Sequence, residues 1–316
     1  MQQVLITGGA GFIGSHLIDH LIQDENNIIT CLDNFDDFYD PAIKRNNISK
    51  HLQKDNFTLV EEDIRNVDAL RAKLNKKYDV IVHLAAKSGV RNSIKNPVKY
   101  QETNLAGTQN LLELARECGI RQFVFASSNS VYGKNPNVPW CENDCVLQPI
   151  SPYASSKVAA ELLGHVYSHL YGIRFIAFRL FTVYGPRQRP DLVIHKFFKS
   201  IIKGDPIDLY GNGSTQRDYT YISDVVQGIL SAMNYNKNQY EIINLGSNQP
   251  VTLKELLQRI ESISNKKSII NYMSEQPGDV SWTFADISKA KTLLMYKSTI
   301  DIQKGLEKFY EWITTS

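Results

Sequence analysis

Tyr153 and Lys157 stand four residues apart in the stretch SPYASSKVAAE, which begins at Ser151. On a helix, positions i and i+4 share one face, with their Cβ atoms about 5–6 Å apart. A lysine ammonium beside a phenol favours the phenolate and lowers the tyrosine pKa. The pair could therefore make a base from a tyrosine. A base needs a partner for its chemistry, and the first residues of the chain suggest one. The stretch TGGAGFIG places Gly8, Gly11 and Gly14 between an apolar β-branched run and an amphipathic one. Glycines belong where a backbone must turn sharply and approach a pyrophosphate closely. The N-terminus of the following helix then offers N–H groups and a positive dipole end to that anion. Asp33 follows Gly14 by 19 residues, at the end of the next apolar run. A carboxylate there can accept both ribose hydroxyls of NAD and would repel the 2′-phosphate of NADP.

The elements that must carry these residues alternate. Strand-like runs lie at 4–7, 28–33, 57–63, 80–85 and 122–128, and helical patterns at 12–22, 66–76 and 98–118. Strand–helix–strand alternation predicts a doubly wound parallel sheet, and continuous Val/Ile runs fit strands buried on both faces. After about residue 180 the rhythm changes. Helices are expected at 189–204, at 224–234 and at 252–263, the last with Thr252 and Glu255 as a capping box. A strand is expected at 240–246, and strands from this second half are expected to rejoin the main sheet. The organisation read from this is a dinucleotide-binding region at 1–180 and a smaller α/β substrate region at 181–316.

The bulk composition excludes more than it selects. Of 316 residues, 35 are basic and 33 acidic, for a net charge of +2. This gives no electrostatic case for nucleic acid or an anionic membrane. No run reaches the length of a membrane span, and the N-terminus lacks the basic region of a signal peptide, so a cytoplasmic protein is expected. Cys31, Cys118, Cys141 and Cys145 form no C-x-x-C pair and no zinc-spaced set, so no metal is expected. His83 and His195 read as structural residues.

The three-glycine loop, HLAA at 83–86, SSNSVYG at 127–133 and Tyr153-x-x-x-Lys157 together resemble the extended short-chain dehydrogenase/reductase superfamily. The resemblance covers nearly the whole chain, with the motifs in the family's order. It implies a Rossmann-type fold and NAD as cofactor. It makes Tyr153 the catalytic acid/base, Lys157 its activator and ribose ligand, and Ser128 the hydroxyl beside the oxidised sugar oxygen, with Ser127 next to it. The implied cofactor contacts are Gly8, Gly11, Phe12, Ile13, Gly14, Asp33, Asn34, Asp63, Ile64, Leu84, Ala85, Ala86 and Lys87, together with Tyr153 and Lys157.

Relatives acting as 4,6-dehydratases carry an acidic pair after the hydroxyl residue, and related decarboxylases a Glu. This chain has Asn129 and Ser130, neither of which can be a carboxylate base. Hydride and proton transfer remain, which suits an epimerase. The strings LDNFDDFYDPAIKR (32–45), SGVRNSIKNP (88–97), FTVYGPRQRPD (181–191) and QRDYTYISD (216–224) resemble UDP-glucuronate 4-epimerases most closely. Those enzymes usually have Trp-Gly where this chain has Arg187-Gln188. The implied reaction converts UDP-glucuronate to UDP-galacturonate through a transient 4-keto sugar. A UDP-glucose/UDP-galactose or UDP-N-acetylglucosamine 4-epimerase is the alternative, and a non-catalytic NAD-binding sensor is a second. Expected substrate contacts are Ser127, Ser128, Tyr153, Thr182, Arg189, Arg217 for the diphosphate and Asp279 near the uridine ribose. Arg187 competes with Arg189 for a uronate carboxylate. The resemblance also implies a homodimer through helices 98–118 and 151–171.

Overall fold

The computed structural model describes residues 1–145, 148–274 and 280–315. Its first half runs β1 (Gln2–Thr7), α1 (Phe12–Leu21), β2 (Asn27–Asp33), α2 (Pro41–Ser49), β3 (Phe57–Glu61), α3 (Val67–Lys73) and β4 (Val80–His83). Three short helical pieces follow, α4 (Val90–Lys95), α5 (Pro97–Gln101) and α6 (Gly107–Glu117), then β5 (Gln122–Ser128), α7 (Pro152–Tyr171) and β6 (Arg174–Leu180). The second half is β7 (Thr182–Tyr184), α8 (Val193–Lys203), β8 (Ile207–Tyr210), β9 (Gln216–Tyr221), α9 (Ile222–Met233) and β10 (Tyr240–Leu245). It ends with β11 (Pro250–Thr252), α10 (Leu253–Ser264), β12 (Ile270–Met273), α11 (Ser288–Leu294) and α12 (Ile302–Thr315).

Seven parallel strands make the main sheet, in the order β10-β6-β5-β4-β1-β2-β3. Residue alternation feeds two cores. Val4, Ile6, Val80, Val82, Val124, Ile176 and Phe178 face one side with α1 and α9. Leu5, Ile81, Phe123, Phe125, Phe175 and Ala177 face the other with α6 and α7. Both faces being covered is why these strands read as unbroken apolar runs. Chain order reverses between β1 and β4, so a crevice opens at the carboxyl ends of those strands, where α/β sheets bind ligands. β10 rejoins this sheet beside β6, as expected, while β7, β9 and β11 form a small sheet of their own and β8 pairs with β12.

Several boundaries differ from the sequence reading. Strands expected at 57–63 and 80–85 stop at Glu61 and His83, because the residues that follow turn into the crevice. The helix expected from 189 starts at Val193; Arg189 and Asp191 pair with each other in the preceding loop instead. The helix expected at 98–118 is broken by a π-turn at Glu102–Ala106. There Asn104 leaves the regular ladder and bonds the backbone of Lys87 through both amide atoms, at 2.8 Å each. Such widened turns commonly serve a site. The capping box at Thr252 and Glu255 forms as expected.

Candidate functional site

The dinucleotide loop is shaped by what its glycines lack. Gly8 has φ +67, and a Cβ there would lie 2.7 Å from the Ala85 nitrogen. A Cβ on Gly14 would lie 2.4 Å from the Gly8 oxygen. The loop thus packs backbone on backbone, and α1 begins at Phe12 with no side chain capping it. Asp33, 7% exposed, closes the turn by accepting from the Ala10 and Phe35 amides at 3.1 and 2.9 Å. Burial pushes its carboxyl up, and Lys44 with those amides works against the shift. Asn34 donates to Asp63 at 2.8 Å; burial raises the Asp63 carboxyl, but Arg65 and Asn34 bring it down to about 2.

Every cofactor residue expected from the sequence lines one cavity of about 380 Å³. Gly8, Gly11 to Gly14, Asp33, Asn34, Asp63, Ile64 and Leu84 to Lys87 form its length; Ser128, Tyr153, Lys157, Thr182 and Arg189 form its far end. A bare helix N-terminus, a loop without Cβ atoms and a carboxylate at the end of β2 are the donor set a dinucleotide requires, so the residues present fit NAD.

Tyr153 lies in the first turn of α7. Ser151 caps that helix by accepting from the Ala154 amide at 3.1 Å, and Pro152 occupies the position where a missing N–H costs nothing. The Tyr100 ring meets Tyr153 edge-on at 6.2 Å. Burial holds the Tyr153 phenol above its ordinary value, while the Ser128 hydroxyl and the Arg189 charge act in the opposite direction. The net shift is upward, opposite to the lowering expected from Lys157. The Lys157 ammonium donates to the Ala126 carbonyl at 2.7 Å and stands 4.7 Å from the centre of the Phe125 ring. Burial brings Lys157 down to about 7, against the raising influence of Glu161.

Ser127 and Ser128 face different partners, as neighbours on a strand must. Ser127 borders the cavity but donates its hydroxyl to the buried Glu161, which also binds Arg179 at 2.9 Å. Ser128 keeps its hydroxyl by Tyr153 and accepts from the Ser130 amide at 3.2 Å. Arg189 stands in the cavity wall: Nε and Nη2 bind Asp191 at 2.9 and 2.8 Å, and Nη1 binds the Ser88 hydroxyl. Arg187 is directed elsewhere, to Asp19 at 2.6 Å. Arg217 lies on β9 in an adjoining cavity of about 140 Å³, shared with Asn129, Ser130, Ser151, Thr182 and Thr283. Asp279 falls outside the described residues. His83 is buried between the Thr7 and Thr108 hydroxyls at 2.7 and 2.9 Å, and burial takes it down to about 3, which suits a structural residue. No group of metal-ligating side chains occurs among the described residues. Sequence reasoning missed Asn104, Ser88 and Asp191. None has a local signature: each acquires its role from a partner brought in by the fold.

The family model described as GDP-mannose 4,6 dehydratase matches residues 5–309. An uncharacterised protein of Methanocaldococcus jannaschii is 45% identical over 315 residues, covering 98% of this chain and 96% of that protein. A UDP-glucuronate 4-epimerase of Thermodesulfobacterium geofontis is 39% identical, covering 99% and 96%. The crystal structure of the Bacillus cereus UDP-glucuronic acid 4-epimerase with UDP-glucuronic acid and NAD superposes with a TM-score of 0.93, at 36% identity and 99% coverage of each chain.

Proposed function

The chain belongs to the GDP-mannose 4,6 dehydratase family, and from that premise we propose that it is an NAD-dependent UDP-sugar 4-epimerase acting on UDP-glucuronate. A family fold carries more than one reaction, so the activity has to come from the site. One observation carries it: Ser128, Tyr153 and Lys157 meet at one end of the dinucleotide cavity, and the positions after Ser128 hold Asn129 and Ser130, without a carboxylate. Such a site moves a hydride and a proton and has no group for elimination or decarboxylation. The epimerase relatives named above support the same reading.

NAD, when bound, would supply the acceptor and donor of the hydride at sugar carbon 4, and the 4-keto sugar would have to turn over in the cavity for that hydride to return on its opposite face. Tyr153 Oη takes the proton of the 4-hydroxyl and gives it back. Lys157, held by Ala126, offers its remaining N–H groups to the nicotinamide ribose, and its charge would favour the phenolate as that forms. Ser128 holds the 4-oxygen. Arg217 takes the diphosphate, a task suited to a guanidinium. Residues 1–180 thereby hold the cofactor, and 181–316 mainly the nucleotide sugar. The purified protein incubated with a panel of UDP-sugars should convert UDP-glucuronate to UDP-galacturonate with no NADH accumulating, read by chromatography and absorbance. Accumulating NADH would make it an oxidoreductase that oxidises the sugar and releases NADH, and NAD binding without turnover a sensor.

Asp33 sets the choice of dinucleotide. Its buried carboxylate would face a 2′-phosphate, and like charges repel. NAD should bind more tightly than NADP in a competition titration; the reverse order would remove Asp33 from this role.

No helix among the described residues is long and apolar enough to cross a membrane. Leu162, Val166 and Leu170 form an exposed apolar row on α7, with Val98 exposed on α5. Rows of this kind mark partner faces, and they support the homodimer implied by the resemblance. Sedimentation should give twice the chain mass, and a monomer at micromolar concentration would refute the pairing.

A further inference from the structure

We infer that Arg187 and Asp19 form a clamp that positions Arg189, so that α1, which opens on the dinucleotide loop, also governs sugar specificity. This rests on the reading that Arg189 receives the uronate carboxylate.

The two arginines leave the loop between β7 and α8 in different directions. Arg187 has φ +64, a left-handed conformation that residues with a Cβ rarely adopt. Its Nη2 reaches Asp19 Oδ2 at 2.6 Å, whereas Arg189 borders the cavity. The pair is largely shielded, with 16% of the Arg187 side chain and 24% of the Asp19 side chain exposed. Asp19 also accepts from His51 at 2.6 Å and from Lys50 at 3.0 Å. Burial raises its carboxyl, but these three cations and donors hold it below its ordinary value, so the anion persists.

A second tie runs from the same face of α1. His16, three residues before Asp19, bonds the Pro186 carbonyl at 2.8 Å through Nε2. A carbonyl only accepts, so Nε2 carries the proton. Burial and the Arg187 charge bring His16 down to about 4, which keeps it a neutral donor. Gln188 completes the anchoring. Its side chain donates to the Val183 carbonyl at 3.0 Å, and its own carbonyl accepts from His195 Nδ1 at 2.8 Å. Backbone on both sides of Arg187 is therefore fixed. The left-handed residue itself is tied by an ion pair to a separate element, α1. Release it, and the backbone relaxes toward commoner angles, two residues from a guanidinium whose placement the sugar depends on.

The test compares Arg187→Met, Arg187→Lys, Asp19→Asn and the Asp19→Asn/Arg187→Met double variant by calorimetric titration of the NAD-loaded protein with UDP-glucuronate, UDP-glucose and UDP. A misplaced binding group should weaken UDP-glucuronate by about tenfold or more. UDP and UDP-glucose affinities should stay within about twofold, since diphosphate contacts lie on β9. Arg187→Lys, which keeps the charge, should recover most of the affinity. The double variant should be no worse than either single one, because both remove the same pair. Equal weakening for all three ligands, or none for any, would overturn the clamp and leave Arg187 a surface residue or a fold support. Arg189→Ala in the same titration separates the layers. If it leaves UDP-glucuronate affinity unchanged, the uronate reading fails and the inference with it; if it weakens binding while Arg187→Met does not, only the clamp fails.

Discussion

Tyr153→Phe should lower turnover by about 10²–10⁴-fold, the usual contribution of a positioned acid/base, and should leave NAD bound. The ring remains, so its edge contact with Tyr100 is kept and α7 loses nothing from its cap at Ser151. What disappears is the hydroxyl assigned to exchange the proton of the sugar 4-oxygen. Ser128 cannot replace it, because an aliphatic hydroxyl has no base beside it: its neighbours are Ser130 and the phenol itself. Lys157 is not expected to replace it either, since its ammonium donates to the Ala126 carbonyl. Single-turnover kinetics should show the loss in the chemical step, with bound NAD unchanged in the isolated protein. A variant that keeps more than about a tenth of wild-type turnover would be incompatible with the general acid–base contribution assigned to Tyr153.

Arg189→Ala should depress UDP-glucuronate turnover by about one to two powers of ten, and UDP-glucose turnover far less. The reason is desolvation. A uronate brings a carboxylate into the cavity, and a buried charge without a partner is expensive. Asp191 occupies Nε and Nη2 of Arg189, so Nη1, bonded to Ser88, is the donor a carboxylate would take over. Losing a hydrogen bond to a charged group costs about 1.5–3 kcal/mol, which is the stated range in rate. A neutral hexose offers no charge there, so its transition state loses little. Thr182 lines the same wall and would donate a weaker hydroxyl. Measured kcat/KM for both sugars decides the matter. Equal losses would assign Arg189 to the nucleotide or to the fold. Efficient turnover of UDP-glucose by the wild-type protein, with UDP-glucuronate ignored, would overturn the substrate and leave Ser128, Tyr153 and Lys157 in their roles.

Much of this site is legible in the chain because its rules are short-range. A glycine at Gly8 is required by a positive φ, and at Gly14 by backbone contact; both demands sit within one strand–turn–helix unit. Asp33 follows from counting to the end of the next strand. Tyr153 and Lys157 share a face because a helix repeats every 3.6 residues, and Ser151 with Pro152 announces where that helix begins. The alternation of strands and helices, with both strand faces apolar, is enough to demand a doubly wound sheet and therefore a crevice at the strand ends.

The tertiary structure decided what depends on a distant partner. Arg187 and Arg189 are chemically identical, and their spacing is silent about direction. Only the arrival of Asp19 from α1, against a left-handed backbone, turns one outward and leaves the other in the cavity wall. Ser127 and Ser128 are likewise the same residue in sequence; Glu161, one turn beyond Lys157 and bound to Arg179, claims the first and leaves the second by Tyr153. Asn104 sits in what reads as an unbroken helix, and its role exists only because β4 places the Lys87 backbone within reach. The state of Lys157 also lay beyond the sequence: spacing put an ammonium near a phenol, but burial and the Ala126 carbonyl determined where that ammonium points and how readily it holds its proton. Period and turn chemistry act over a few residues and are written locally; charge partnership and burial act across space, and the fold alone assigns them.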